Sequence, residues 1–142
     1  MYQCGTTEGP IKKKYNWPER NYERLCELRD AFNTELNRIA SKDDTVMLLT
    51  ADIGFQVFDE FRENFPDRFY NVGVAEDNMI GMATGLTLSG KTVFVYTIIP
   101  FLTMRAFEQI RTDVCIMNQP VKIIGVGGGL SYGTLGPTHH SI

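Results

Sequence analysis

Hydrophobic positions change their spacing several times along the chain, and each change predicts a new element. Between residues 21 and 41 they recur at intervals of three and four, which is typical of an amphipathic helix that begins at an asparagine cap. Residues 45–50, TVMLLT, form a short and mostly apolar run, which favours a buried strand. The same criteria predict further helices at 55–64, 75–88 and 101–117, and further strands at 68–74, 91–98 and 121–126.

The order of these elements predicts the fold class. Strands alternate with helices, and the strands are apolar along their length rather than on one face. This pattern indicates an α/β fold with a doubly wound, mostly parallel sheet and helices on both faces. Residues 1–20 are irregular and are expected to form an N-terminal arm, and residues 21–142 a single domain with one core.

Composition and charge argue against several classes of protein function. A net charge of −3 argues against general affinity for nucleic acid or an anionic membrane surface. No apolar segment reaches the roughly 20 residues needed to span a bilayer, and no signal-peptide core is present, so a cytoplasmic location is expected. The widely spaced cysteines Cys4, Cys26 and Cys115 are odd in number, which favours reduced thiols over a disulfide or zinc framework.

The glycine-rich helix predicted at 75–88 carries one acidic residue of special interest, Glu76, just after a strand. Open parallel sheets bind ligands beyond the carboxyl ends of their strands. Glu76 either favours the positive end of the helix without any ligand, or performs chemistry there. Gly81 and Gly85 each cost about 1 kcal/mol of helix propensity relative to alanine, so a close approach to another helix or a ligand is expected.

The other strand ends also carry unusual residues. The glycine-rich segment GGGLSYGTLGPTHHS at 127–141 is compatible with a phosphate-binding loop, but its spacing fits neither the dinucleotide fingerprint nor the P-loop. His139 and His140 lie side by side without further ligands at metal-site spacing, so no metal ligand is assigned. On their own, Phe101 and Phe107 are best interpreted as ordinary core residues.

Three stretches, taken together, resemble a known family. They are VGVAEDNMIGMATGLTLSGKTVF, FLTMRAFEQIRTDVCIMNQPV and GPTHH, in that order, and the likeness extends from about residue 45 to the end. The chain resembles the pyrimidine-binding domain of thiamine diphosphate enzymes of the transketolase type, including 1-deoxyxylulose-5-phosphate synthase. The resemblance implies thiamine diphosphate as cofactor and transfer of a two-carbon ketol unit between sugars.

The resemblance also implies roles for the two proposed catalytic residues. Glu76 matches the glutamate that hydrogen-bonds the N1′ nitrogen of the cofactor pyrimidine and so promotes loss of the thiazolium C2 proton. It is expected to be buried at a subunit interface. His139 matches the histidine that lies over the thiazolium carbon and handles the donor's hydroxyl or carbonyl oxygen, a task that suits a neutral imidazole.

Four further residues match the family's cofactor-binding positions. Phe101 is expected to stack on the pyrimidine, with Phe107 as second candidate. One extra residue between Phe101 and Arg105, relative to many relatives, makes Leu102 an alternative. Arg105 is expected near the pyrimidine or at the interface, and Asp52 near the thiazolium.

Departures from the family pattern concern the partner and the substrates. The chain has no Asp-Gly pair and hence no Gly-Asp-Gly motif for Mg2+, so Mg2+ and the diphosphate are expected on a separate subunit, in a homodimer or heterotetramer. Thr134 and Leu135 stand where transketolases commonly have acidic residues, and three glycines replace residues that grip an acceptor phosphate. The sugar or keto-acid substrate is therefore expected to be unusual. The sequence stops just after GPTHH, where relatives continue, so the domain is expected to be incomplete at its C-terminus.

Two alternatives remain open. One is decarboxylative carboligation of the 1-deoxyxylulose-5-phosphate synthase kind. The other is a non-catalytic assembly subunit that retains the fold, which the joint presence of Glu76 and His139 disfavours.

Overall fold

A computed structural model of the chain describes the backbone of residues 19–142 and the side chains of residues 28–142. The predicted arm lies outside the described residues, apart from its last two, and so do the side chains of Cys4 and Cys26. The elements in chain order are α1 (Glu19–Ala40), β1 (Val46–Thr50), α2 (Asp59–Asn64), β2 (Phe69–Asn71), α3 (Glu76–Leu88), β3 (Thr92–Ile98), α4 (Phe107–Gln109) and β4 (Lys122–Val126).

The four described strands form one parallel sheet in the order β2-β1-β3-β4. Leu48 in β1 is paired with Phe69 on one side and with Phe94 on the other. Because every pairing is parallel, all the carboxyl ends lie along one edge. The predicted doubly wound α/β fold is confirmed.

Both faces of the sheet are covered by helices. Met47 and Leu49 of β1 point into a core shared with α3 and the segment around Leu102 and Val114. The alternate residue Leu48 points into a second core, which is shared with α1 and with Phe58 and Phe61. Fully burying a leucine or phenylalanine side chain contributes about 1.5–3 kcal/mol, so these two layers stabilise the sheet from both sides.

Several elements are shorter than the sequence pattern predicts. The helix predicted at 55–64 begins only at Asp59, because Gly54 and Gln56 have left-handed φ angles of 89° and 63°. The strand predicted at 68–74 is limited to Phe69–Asn71. In α1, Leu28 falls on the predicted apolar stripe but is 64% exposed in this chain.

The helix predicted at 101–117 is mostly not α-helical. It consists of a π-helical stretch Phe101–Arg105, the single turn α4, and a second π-helical stretch Ile110–Ile116. The Ala106 amide donates to the Phe101 carbonyl at 3.2 Å, a five-residue step that makes room for one extra residue in the turn. The wider turn puts Leu102 in the core, 2% exposed, and leaves Phe101 half-buried at the surface.

Within the described residues, no helix combines the length and apolar character that crossing a bilayer requires. Cys115 is a free thiol and is exposed.

Candidate functional site

Glu76 is the first residue of α3, and its side chain is 1% exposed. Arg105 Nη1 donates to Glu76 Oε2 at 2.5 Å, and the Arg105 side chain remains 45% exposed. A buried carboxylate needs such a partner, because an unpaired buried charge is strongly unfavourable. The residue is therefore buried within its own chain, and no subunit interface is needed to bury it.

Arg105 also links Glu76 to the aromatic part of the site. Its guanidinium carbon lies 4.7 Å from the centroid of the Phe101 ring, in a cation–π contact. The ring of Phe101 in turn meets His139, with centroids 5.1 Å apart and planes inclined by 71°. Glu76, Arg105, Phe101 and His139 thus form one continuous cluster at the carboxyl edge of the sheet.

The C-terminal segment folds back so that His139 reaches this cluster. Ser141 donates its amide to the Gly129 carbonyl at 3.0 Å and its hydroxyl to the Gly127 carbonyl at 3.1 Å. The ring of Tyr132 lies directly against Gly127, where a side chain would overlap it, and its centroid is 5.5 Å from that of His139. Within the glycine-rich segment, Gly127 therefore allows an aromatic ring to pack beside the histidine.

Two of the predicted site residues lie apart from the cluster. Asp52 follows β1 with a left-handed φ of 50°, and its amide donates to Asn71 Oδ1 at 2.9 Å. It lines a cavity of about 170 Å³ together with Asn71, Phe58 and Phe69, and no member of the cluster lines that cavity. Phe107 is 59% exposed and begins α4, beyond Arg105.

The outward face of α3 is almost free of charge. It presents Asn78, Gly81, Met82, Gly85 and Leu88, all exposed. A Cβ at Gly85 would meet nothing within 4 Å, and one at Gly81 would meet only Asp113 Oδ2 at 4.0 Å. The close approach expected for these glycines is therefore absent from the described part of the chain.

Tyr96 is a buried tyrosine of the sheet. It lies near the end of β3, is 4% exposed, and packs edge-on against Phe58 with centroids 4.8 Å apart. Burial raises the pKa of its hydroxyl to about 12, with Tyr132 adding to the rise and Arg29 opposing it.

Sequence reasoning missed three residues that shape this edge. Tyr132 packs on a glycine and on His139, Thr138 contacts the His139 ring, and Asn71 Oδ1 accepts from the amides of both Asp52 and Gly73. These contacts depend on how loops fold back, which hydrophobic periodicity does not encode. The only signal for them in the sequence is the glycine density of the loop around Tyr132.

The side chains of the cluster fit the chemistry of an aminopyrimidine. A buried carboxyl group can share a proton with a ring nitrogen, and a half-buried phenylalanine offers an aromatic surface for a flat ring. The described residues include no group of three or more His, Cys, Asp or Glu side chains placed to hold a metal ion.

Comparison with known proteins identifies the family. The family described as transketolase, pyrimidine binding domain, matches residues 26–142. The chain belongs to this family, and the matched residues include the cluster and the glycine-rich helix described above.

Individual relatives agree with this assignment. A subunit of the apulose-4-phosphate transketolase of Actinobacillus succinogenes is 50% identical over 82 residues, covering 58% of this chain and 26% of that protein. The 1-deoxy-D-xylulose-5-phosphate synthase of Clostridium perfringens is 38% identical over 136 residues, covering 95% of this chain and 20% of that enzyme. A solved structure of a split-gene transketolase, an inactive beta4 tetramer, superposes with a TM-score of 0.70 at 34% identity, covering 80% of this chain and 36% of that one.

The chain thus spans between a fifth and just over a third of the length of these relatives.

Proposed function

We propose that this chain is the pyrimidine-side component of a thiamine diphosphate-dependent transketolase that transfers a two-carbon ketol unit between sugars. The observation that carries the proposal is the pairing of a buried Glu76 with Arg105, next to Phe101 and His139. Sequence similarity to a split-gene transketolase and to a subunit of an apulose-4-phosphate transketolase supports the same reaction class.

Each residue of the cluster has a defined task in this proposal. Bound thiamine diphosphate supplies a thiazolium carbon that becomes nucleophilic when it loses its proton. The Glu76 carboxyl group would share one proton with the pyrimidine ring nitrogen, donating while it holds that proton and accepting once the nitrogen holds it. Arg105 holds the Glu76 carboxylate in place through Oε2, which leaves the second oxygen for the ring nitrogen. Phe101 supplies the aromatic surface, and His139 accepts a proton from the donor's hydroxyl group.

Asp52 and Phe107, which lie apart from the cluster, are assigned supporting roles in this proposal. Asp52 stands at the thiazolium side of the cofactor, where the loop before α2 is fixed by Asn71. Phe107 is exposed beyond Arg105, which suits contact with a partner better than contact with the pyrimidine.

We infer that the diphosphate and its Mg2+ are held by a second subunit. Mg2+ prefers several oxygen ligands together with substrate phosphates, and the chain offers no Gly-Asp-Gly motif for it. The outward face of α3 formed by Gly81, Met82, Gly85 and Leu88 is the proposed surface for this subunit. Exposed apolar side chains grouped on one face of a helix favour a covering partner, and the two glycines there suit a close backbone approach.

Reconstitution tests the proposal. The chain is mixed with the diphosphate-binding subunit from the same source, thiamine diphosphate and Mg2+, and ketose donors are compared with pyruvate. Ketol transfer without release of CO2 is expected. Glu76→Ala should abolish exchange of the cofactor C2 proton while retaining the fold, and unchanged exchange would refute the role of Glu76.

The same experiment distinguishes the alternatives. Release of CO2 from pyruvate would indicate a carboligase of the 1-deoxyxylulose-5-phosphate synthase kind, which the Clostridium perfringens relative makes the second candidate. Stable assembly without any turnover would indicate a non-catalytic assembly subunit.

A further inference from the structure

The ring of His139 is fixed by three contacts. Phe101 and Tyr132 pack against it with centroids 5.1 and 5.5 Å away, at inclinations of 71° and 66°. Thr138 Oγ1 lies 2.8 Å from His139 Nδ1. The aromatic neighbours restrict the orientation of the ring plane, and the threonine contact bears on which ring nitrogen carries the proton.

The second contact of Thr138 determines the direction of this hydrogen bond. Its hydroxyl lies 3.1 Å from the Leu135 carbonyl oxygen, which can only accept. A hydroxyl has one proton, and donating it to Leu135 leaves the threonine oxygen as an acceptor toward Nδ1. Both contacts are satisfied only when Nδ1 of His139 carries a proton, and in the neutral ring Nε2 then holds the lone pair.

The adjacent histidine has the opposite arrangement. His140 Nε2 lies 2.9 Å from the Gly133 carbonyl oxygen, so Nε2 must carry the proton and donate it. The amides of His139 and His140 both donate to the Gly136 carbonyl, at 3.0 and 3.2 Å, which fixes the turn that separates the two rings. Gly136 has a left-handed φ of 71°, a conformation that favours glycine.

We propose that Thr138 is a positioning residue that keeps His139 in the tautomer with Nδ1 protonated, while His140 is kept in the opposite tautomer. The His139 Nε2 lone pair is then ready to accept a proton from a substrate hydroxyl, without a prior change of tautomer. This catalytic consequence rests on the proposed ketol-transfer function, whereas the tautomer itself does not.

The tautomers can be measured directly in the 142-residue chain. The chain contains only two histidines, so nitrogen NMR at about pH 8.5, where an unperturbed imidazole is neutral, gives two ring systems to assign. His140→Gln identifies the signals of His139. The expected result is a protonated Nδ1 in His139 and a protonated Nε2 in His140, so that each ring is a control for the other.

Variants of the threonine complete the test. Thr138→Val should release His139 from its fixed tautomer, Thr138→Ser should retain it, and Thr134→Val, an exposed threonine of the same loop, should leave it unchanged. A protonated Nε2 in wild-type His139, or an unchanged tautomer in Thr138→Val, would overturn the proposal.

The reconstituted enzyme then tests the consequence for catalysis. Thr138→Val should lower kcat for ketol transfer by about tenfold or more, leave exchange of the cofactor C2 proton unchanged, and be rescued by Thr138→Ser. Loss of C2 exchange, or failure of the serine to rescue, would refute a role through His139. If the wild-type assembly transfers no ketol unit, the proposed function fails while the NMR result on the tautomer still stands.

Discussion

A single cation, Arg105, connects the chemical groups at the carboxyl edge of the sheet. It donates to a carboxylate that is 1% exposed and lies over an aromatic ring, while its own side chain remains 45% exposed. Solvent can therefore still reach the arginine, but it scarcely reaches Glu76. Loss of the arginine would leave a buried charge without compensation, so the contact contributes to stability as well as to placement.

Arg105→Ala should destabilise the chain by about 1–3 kcal/mol, because Glu76 would lose its charged donor. In a Glu76→Gln background the same substitution should cost clearly less, because no buried charge remains. Urea unfolding of the four proteins gives the coupling energy between the two sites. An equal loss in both backgrounds would mean that the pair contributes no coupling.

Tyr96 makes the free energy of unfolding depend on pH in the alkaline range. The pKa of its hydroxyl is raised in the folded chain to about 12, from an ordinary value of 10.0. The unfolded chain therefore loses this proton first, and the stability present below pH 10.0 is lost as the pH rises toward about 12. The loss should reach about 2–3 kcal/mol.

Stability curves of wild type and Tyr96→Phe between neutral and alkaline pH check this expectation. The variant should show a smaller decline above pH 10.0. Parallel curves would assign the alkaline loss to other groups.

At the scale of elements, α3 combines a buried face with an exposed face on which Gly81, Met82, Gly85 and Leu88 follow the polar Asp77 and Asn78 of the first turn. Gly85 faces no part of the described chain and Gly81 faces only Asp113, so both glycines lower helix stability without a packing gain within it. A cost in helix stability with no packing gain among the described residues is expected if this surface of α3 binds a partner.

Gly85→Ala should therefore raise the free energy of unfolding of the chain by about 0.5–1 kcal/mol, because alanine is the better helix former and its Cβ meets nothing. The same change should weaken assembly with the diphosphate-binding subunit, measured by titration. Gly90→Ala is the matched control: its site is also open, but its φ of 83° should make the alanine destabilising. Stabilisation together with undiminished assembly would exclude this face of α3 from the interface.

At the scale of the whole molecule, the end of β4 and the C-terminal loop form one unit through Gly127. This glycine follows β4, has a φ of 82° and carries the Tyr132 ring against its backbone. Tyr132 in turn contacts His139. The position of the histidine thus depends on how the chain leaves the sheet.

Gly127→Ala should destabilise the fold by about 1 kcal/mol or more and displace the His139 ring, because the new methyl group overlaps Tyr132 in addition to straining φ. Gly129→Ala is a control for strain alone, since its φ is 61° and its site is open. Thermal unfolding and the His139 NMR signals should change more in Gly127→Ala. Equal effects would mean that the ring contact is unimportant.

The sequence predicts the parallel sheet, its two covering layers and the ends of β1, β3 and β4, because these depend on local hydrophobic spacing, whereas the end of β2 and the helix type at 101–117 are predicted wrongly. Leu48 and Leu49 alternate between two cores, as apolar strands of a parallel sheet require. The motif residues Glu76, Phe101 and His139 are identified from the sequence, but only the structure shows that they belong to one cluster that is joined through Arg105. The Arg105 bridge and the Thr138 contact depend on side-chain geometry between distant segments, and spacing alone carries no signal for them.

The π-helical turn at Phe101–Arg105 also bears on how the chain should be aligned with other proteins. A widened turn accepts an additional residue without displacing Leu102 from the core or Arg105 from its carboxylate. We therefore expect a gap placed here in an alignment to mark a change of helix type, with the contact between Arg105 and Glu76 retained. Homologues that lack this residue should be matched on the arginine, and the aromatic position should be assigned afterwards by counting backwards through the turn.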